Sequence, residues 1–224
     1  MELDMSSFDE PDERTGQGLS PPHYRAKINE QIRPAILSVL VLTILSGVVF
    51  PLLLLAIARP LFPRQTGGSL IRRGGAVVGS EIIGQEFTRP EYFQPRPSAA
   101  GSGYDGTASG GTNLGPNNPK FVNGSGDFAG IRQLAGAYRQ RNGLAPDAAI
   151  PIDAVTRSGS GLDPHISLAN ALLQVPRVAR TRGLSEESIR RLVMNHLEGR
   201  QFGFLGSPRV RVLQLNLDLD KVTK

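Results

Sequence analysis

Cysteine is absent from the 224 residues, so disulfides, thiolate nucleophiles, zinc-thiolate sites and iron–sulfur clusters are excluded before any motif is read. Lysine is scarce. Only Lys27, Lys120, Lys221 and Lys224 occur, and none follows a glycine-rich turn into a helix, so the chain has no P-loop. Aromatic residues make up 6% of the chain, and the many arginines are scattered without the aromatic interleaving of a stacking platform. No nucleic-acid partner is expected. With 26 glycines and 17 prolines the chain stays below the roughly 25–30% Gly-plus-Pro of low-complexity sequence, while 39% hydrophobic residues suffice for one domain and something more.

The something more is a stretch without charge. Pro34 to Ala58 is 25 residues long and contains no Asp, Glu, Lys, Arg or His. As a helix it measures about 37 Å, enough to cross a hydrocarbon core of about 30 Å with some tilt. Gly47 and Pro51 inside it are tolerated in membrane helices, and Pro51 predicts a kink below Phe50. Ser38, Thr43, Ser46 and Gly47 supply small and weakly polar positions for packing against other helices. Ala56-Ile57-Ala58 has the form of a signal-peptide cleavage site, yet the apolar run exceeds the 7–15 residues of such a signal. The 33 residues before it, with 4 basic and 7 acidic side chains, are also too long and too acidic for its leading segment. The reading is an uncleaved anchor. Three segments follow: an acidic tail over 1–33, expected to lack fixed structure, a transmembrane helix over 34–58, and a folded unit over 59–224 with 21 basic and 13 acidic residues. Flanking charge leaves the orientation open, because four Lys/Arg lie within 20 residues on either side.

Past Ala58 the pattern predicts a mixed α/β unit interrupted by a long Gly/Pro-rich loop from Gln94 to Gly130, where 13 of 37 residues are Gly or Pro. Short strands are expected at Ala76–Val78, Ile82–Ile83 and Ile150–Val155. Phe128, Ile131, Ala135 and Tyr138 recur at helical spacing before Gly143. Ser167 is placed to cap a helix through Leu172, and Pro176 to start the next as a first-turn proline, ending near Gly183. Ser185 caps another, with Glu186 and Glu187 in its first turn, a stripe of Ile189, Leu192, Val193 and Leu197, and Gly199 closing it. Arg209 to Asp220 alternates like a strand, with a slip of parity between Val212 and Leu213 that predicts a bulge.

Candidate chemistry is thin. Ser109, Gly110, Gly111 and Asn113 form a turn whose backbone N–H groups can face an anion. Ser158, Ser160, Asp163 and His165 crowd one loop, but Gly159-Ser160-Gly161 is too short for a nucleophile elbow, and Asp163 with His165 lacks a third metal ligand nearby. Asp163-Pro164 before Ser167 reads as a turn into a helix cap. His196 reads as an edge-of-core residue. No catalytic or metal-binding residue is assigned, and the aspartyl-phosphate sequence of a P-type pump is missing.

The order of segments nevertheless matches a known pattern. Arg33-Pro34, GSLI at 68–71, VGSEIIGQEF at 78–87, YFQPRPSA at 92–99, SGGTNLGPNNP at 109–119, VTRSGSGLDPHIS at 155–167, QVPRVARTRGL at 174–184 and FLGSPRVRVLQLNLDL at 204–219 together resemble the C subunit of the bacterial Kdp-type potassium-transporting P-type ATPase. The resemblance implies a non-catalytic, single-pass accessory subunit of the bacterial inner membrane. Its implied partners are a channel-like potassium-translocating subunit, a P-type ATP-hydrolysing subunit and a small single-helix subunit, besides the lipid bilayer. No tightly bound cofactor is implied: potassium is handled by one partner and ATP is met only through another. Two roles have been attached to the family. One is assembly and stabilisation, with the folded unit outside the cytoplasm and the N-terminus inside. The other is a catalytic chaperone that raises the ATP affinity of the hydrolysing subunit, which would use Ser109–Asn113 and Ser158–Asp163 near the nucleotide.

Overall fold

A computed structural model of the chain describes residues 28–222. The first 27 residues of the acidic tail lie outside the described residues. The chain divides into two compact units between Leu61 and Phe62.

The first unit is a continuous apolar helix built from α1 (Ile28–Ile44), a π-helical turn (Leu45–Val49) and α2 (Phe50–Leu61). Within it, Glu30–Leu61 has a mean hydropathy of 2.7, and it is the one helix among the described residues long and apolar enough to cross a membrane. The helix extends past both ends of the uncharged stretch and carries Pro34 in its interior. Pro51 falls just where the π turn gives way to α2. A proline has no N–H for the carbonyl four residues back and its ring presses on it. Widening the preceding turn relieves that contact, and the Phe50 N–H accordingly donates to the carbonyl of Leu45, five residues back.

The second unit opens with α3 (Pro63–Thr66) and an antiparallel hairpin of β1 (Leu70–Arg73) and β2 (Ala76–Ser80), turned by Gly74 and Gly75 at φ 58° and 84°. Of the two strands expected here, the second is reduced to an isolated bridge between Ser80 and Ile83. Next come α4 (Pro119–Asn123), capped by Asn118 inside the Gly/Pro-rich stretch, and α5 (Ile131–Asn142), which ends on Gly143 in the left-handed conformation. A three-stranded antiparallel sheet in the order β3 (His165–Ser167), β5 (Arg209–Arg211), β4 (Leu197–Glu198) is backed by α6 (Leu168–Arg182), α7 (Glu186–Asn195) and α8 (Val212–Val222). The core is built from Ile166 and Val210 of the sheet, Val175 and Val178 of α6, Ile189 and Val193 of α7, Leu215 and Leu219 of α8, and Phe93.

Ser167 and Ser185 cap α6 and α7 as expected, their hydroxyls accepting from the Asn170 and Ser188 N–H groups. Four further expectations fail. Pro176 does not start a helix but sits inside α6, where burial of Val175, Val178 and Ala179 around it holds the helix through the missing hydrogen bond. The helix capped by Ser185 ends at Asn195, and Leu197 pairs with Val210 in the sheet. Ile150–Val155 is no strand: Ile152–Ala154 forms a 3₁₀ turn after Pro151, with Asp153 accepting from Ser167 and Asn170. Nor is Arg209–Asp220 one bulged strand. Only Arg209–Arg211 is extended, and the parity slip at Val212–Leu213 marks the passage into α8, whose buried Val212, Leu213, Leu215, Asn216 and Leu219 keep a helical spacing.

Tyr92–Gln94 crosses the core in no sheet, and side-chain carboxamides take the place of neighbouring strands. Asn216 of α8 accepts from the Phe93 N–H at 2.9 Å and donates to its carbonyl at 2.8 Å. Gln174 of α6 does the same for Gln94, at 2.8 and 3.0 Å. Arg177 donates to the carbonyls of Pro90 and Tyr92 and to Asn142 and Gln174. Burial lowers its guanidinium to about 10, which leaves it charged at neutral pH. Asn216→Ala therefore leaves a buried N–H and a buried carbonyl unpaired, and should cost about 2–5 kcal/mol of unfolding free energy, measured by denaturant titration of the full chain in detergent. A loss below about 1 kcal/mol would show that the clamp is dispensable.

Candidate functional site

The two Gly/Ser loops singled out by the sequence meet. Ser160 lies in the tight turn Ser158–Gly161, closed by the Gly161 N–H on the Ser158 carbonyl at 3.2 Å. Its own carbonyl accepts from the Gly110 N–H at 2.9 Å and from the Ser109 hydroxyl at 3.0 Å. The approach is close enough to require glycine on both sides. A Cβ on Gly111 would stand 2.7 Å from the Gly159 carbonyl oxygen, and one on Gly161, at φ 67°, would stand 2.6 Å from both the Ala100 nitrogen and the Gly110 oxygen. Ser98 fastens the junction, donating to the Gly161 carbonyl at 2.6 Å and accepting from the Ala100 and Tyr104 N–H groups. The polar groups of these loops are thus largely spent on each other: the Gly110 N–H, one of the donors an anion-binding nest would need, is already engaged. Ser158 and Ser160 hydroxyls are 3.4 Å apart, and the Ser160 hydroxyl accepts from the Leu162 N–H.

Asn113 and Asp163 stand outside this junction. Asn113 is exposed with φ 52°, a left-handed conformation that asparagine tolerates. Asp163 belongs to a charged cluster on the polar face of the three-stranded sheet. Strand alternation turns Ile166 and Val210 into the core and sends His165, Arg209 and Arg211 to the other face. Glu198 on β4 pairs there with Arg209 at 3.1 Å and Arg211 at 2.5 Å. Asp163 accepts from Arg96 at 2.9 Å, from the His165 N–H at 3.0 Å and lies 3.1 Å from His165 Nδ1. Burial pushes the Asp163 carboxyl up, but the hydrogen bonds from His165 and Arg96 outweigh it and hold the group down at about 2. His165 Nε2 is 3.8 Å from Glu198, yet no group of three such side chains among the described residues is arranged to hold a metal ion. Arg96, Glu198, Arg209 and Arg211 are the members the sequence reading missed. They come from three separate segments, so no local spacing announces them.

Two cavities flank these loops. One, about 370 Å³, is lined by Arg96, Asp153, Asp163, His165, Ser167 and Arg209. The other, about 410 Å³, is lined by Glu86, Gln94, Tyr104, Tyr138, Arg141 and Arg157, among others. Burial pushes the phenols of Tyr104 and Tyr138 above their ordinary range, so both act as neutral donors, to the Arg96 carbonyl and to Asn170 respectively. His196 sits half-buried at the end of α7, its ring nitrogens 2.9 Å from the Leu192 carbonyl and 2.8 Å from Asp218. In the apolar helix, Ser38 and Ser46 turn their hydroxyls back on their own helix, to Pro34 and Ala35 and to Leu42. Gly47 opens a gap, with nothing within 4 Å of where its Cβ would be.

Residues 32–221 match the family model described as KdpC, the c chain of K+-transporting ATPase. Three similar proteins bear the name "Potassium-transporting ATPase KdpC subunit". That of Mycobacterium tuberculosis is 47% identical over 195 residues, covering 87% of this chain and 100% of its own. That of Koribacter versatilis is 51% identical over 186 residues, 83% and 92%. That of Sorangium cellulosum is 52% identical over 192 residues, 84% and 96%.

Two outcomes test the geometry. Gly161→Ala, which needs both a left-handed backbone and space already filled, should lower stability by about 2 kcal/mol or more in denaturant titration, whereas Ser160→Ala should cost under about 1 kcal/mol. Because the Asp163 carboxyl is held at about 2, below the ordinary 3.8, its contribution is complete above pH 4 and is lost as pH falls through 2. Thermal melts from pH 5 to 2 should accordingly fall less steeply for Asp163→Asn than for the parent chain.

Proposed function

The chain belongs to the KdpC family, the c chains of K+-transporting ATPase, and from this premise we propose that it is a non-catalytic accessory subunit that assembles and stabilises the complex. Its partners are a channel-like potassium-translocating subunit and a P-type ATP-hydrolysing subunit, with a small single-helix subunit beside them. The chain sits in the inner membrane as a single-pass protein, with its N-terminus in the cytoplasm and its folded unit outside. Potassium passes through the first partner and ATP is bound by the second.

The observation that carries this reading is the apolar helix. Its side chains from Ile36 to Ile57 are exposed along the whole run, and no residue of α2 is buried. One helix encloses no path for an ion, so its surface is there to be covered by lipid and by other helices. Ser38, Thr43, Ser46 and Gly47 are the positions proposed to pack against those helices. With the two serine hydroxyls satisfied within the helix, close backbone approach at Gly47 is the stronger contribution.

The meeting of Ser109–Gly111 with Ser158–Gly161 favours one alternative, a catalytic chaperone that raises the ATP affinity of the hydrolysing subunit in a transient ternary complex. Against it weighs the engagement of the Gly110 N–H and the Ser109 hydroxyl by the Ser160 carbonyl. Absence of cysteine makes the test direct. Ser109→Cys, an exposed position, should react with a membrane-impermeant maleimide in cells whose outer barrier alone is permeabilised. Labelling only after lysis would put the loops on the ATP side and favour the alternative. Ser160→Ala should leave the complex assembled and potassium uptake within about twofold of the parent.

A further inference from the structure

The connection between β4 and β5 puts apolar residues where a soluble fold would put polar ones. Gln201 and Leu205 face each other across a narrow pair of hydrogen bonds, each N–H on the other's carbonyl at 2.9 Å. Between them the chain turns through Phe202 at φ 54° and Gly203 at φ 82°. Phe202 is 79% exposed, Phe204 69% and Leu205 47%. A phenylalanine in the left-handed region is unfavourable by itself, and here the cost is not offset by burial. Between Glu198 and Asp218 the sequence has no acidic residue, while exposed Arg200 stands at the foot of the turn.

We propose that this tip inserts into the interfacial layer of the bilayer in which the chain is anchored, Phe202 and Phe204 entering among the acyl chains and Arg200 meeting anionic headgroups. Three side chains on one turn present far less than the roughly 800 Å² per partner of a stable protein interface. A bilayer requires no shape-matched surface and accepts a small aromatic tip. The tether decides the rest. Since the chain carries its own membrane-crossing helix, insertion of the tip is an intramolecular event, and a contact too weak to recruit a free domain is populated when the bilayer is held at high local concentration. The inference rests on the helix being in the membrane, and the test separates the two.

The chain has no tryptophan, so one introduced residue reports alone. Phe204→Trp and Leu53→Trp are prepared in the full chain, placed in nanodiscs of phosphatidylcholine and phosphatidylglycerol, and compared with discs whose acyl chains are brominated. Leu53→Trp, in the helix, should be quenched if the chain spans the bilayer. Phe204→Trp should then lose about half its emission or more and shift to the blue, and adding Phe202→Ser should reverse most of that loss. Quenching of Leu53→Trp without quenching of Phe204→Trp would overturn the insertion while leaving the anchor intact. If Leu53→Trp is not quenched either, the anchor and the insertion both fall. Phe204→Trp unquenched by lipid but shielded from iodide only in the assembled complex would overturn the proposal in favour of a partner subunit.

Discussion

The helices around the core of the folded unit are fixed to a length of backbone that has no strand beside it. A peptide group buried without partners is among the costliest things a core can hold, and Phe93 and Gln94 bring two of them into the interior. Asn216 and Gln174 answer with a carboxamide each, one acceptor and one donor, which is the hydrogen-bonding face of a peptide presented by a side chain. The network then spreads: Gln174 also donates to Asn170, which accepts from Tyr138 and donates to Asp153, and Arg177 ties Gln174 to Asn142 and to the carbonyls of Pro90 and Tyr92. Through these bonds α5, α6, α8 and the 3₁₀ turn are fixed to the same short segment.

That arrangement explains which parts of the fold were legible in the sequence. Helix signals that depend on neighbours in the chain were readable: the Ser167 and Ser185 caps, the Gly143 and Gly183 stops, the stripe of Ile189 and Val193. The membrane-length helix was readable too, because the absence of charge over 25 residues is a property of composition. What failed depended on the tertiary setting. Leu213, Leu215, Leu217 and Leu219 alternate as in a strand, but the middle of that run contains Asn216, the residue that must reach Phe93, and only a helix puts Asn216 on the same face as Leu215 and Leu219. Pro176 reads as a boundary until the burial of its neighbours on α6 is known.

The candidate site divides in the same way. The sequence marked both Gly/Ser loops, and glycine at 111 and 161 is the visible trace of their contact. It marked the first for an anion and tied the second to nucleotide only through the family resemblance, whereas the structure directs much of their polarity inward, toward one another. Asp163 was marked as well, but its partner Arg96 and the neighbouring Glu198 and Arg209 were not, because charge complementarity across distant segments leaves no periodic signature. The arginine excess of the folded unit is thus partly structural: Arg96 holds Asp163, Arg177 the Tyr92 carbonyl, Arg182 the Asp220 carboxylate at 2.9 Å, and Arg209 Glu198.

The separation along the chain between Phe93 and Asn216 has a consequence for biosynthesis. The two are 123 residues apart, and Gln94 and Gln174 are 80 apart, so the contacts that complete the core close very large loops. Such contacts form late and slowly. The apolar helix, long enough to cross a membrane, is synthesised long before α8 exists. Until then the buried peptide groups of Phe93 lack the Asn216 carboxamide that pairs with them. The apolar helix and the core are in this way completed at different moments of synthesis, and the anchor-length segment has its final form before the folded unit has its shape.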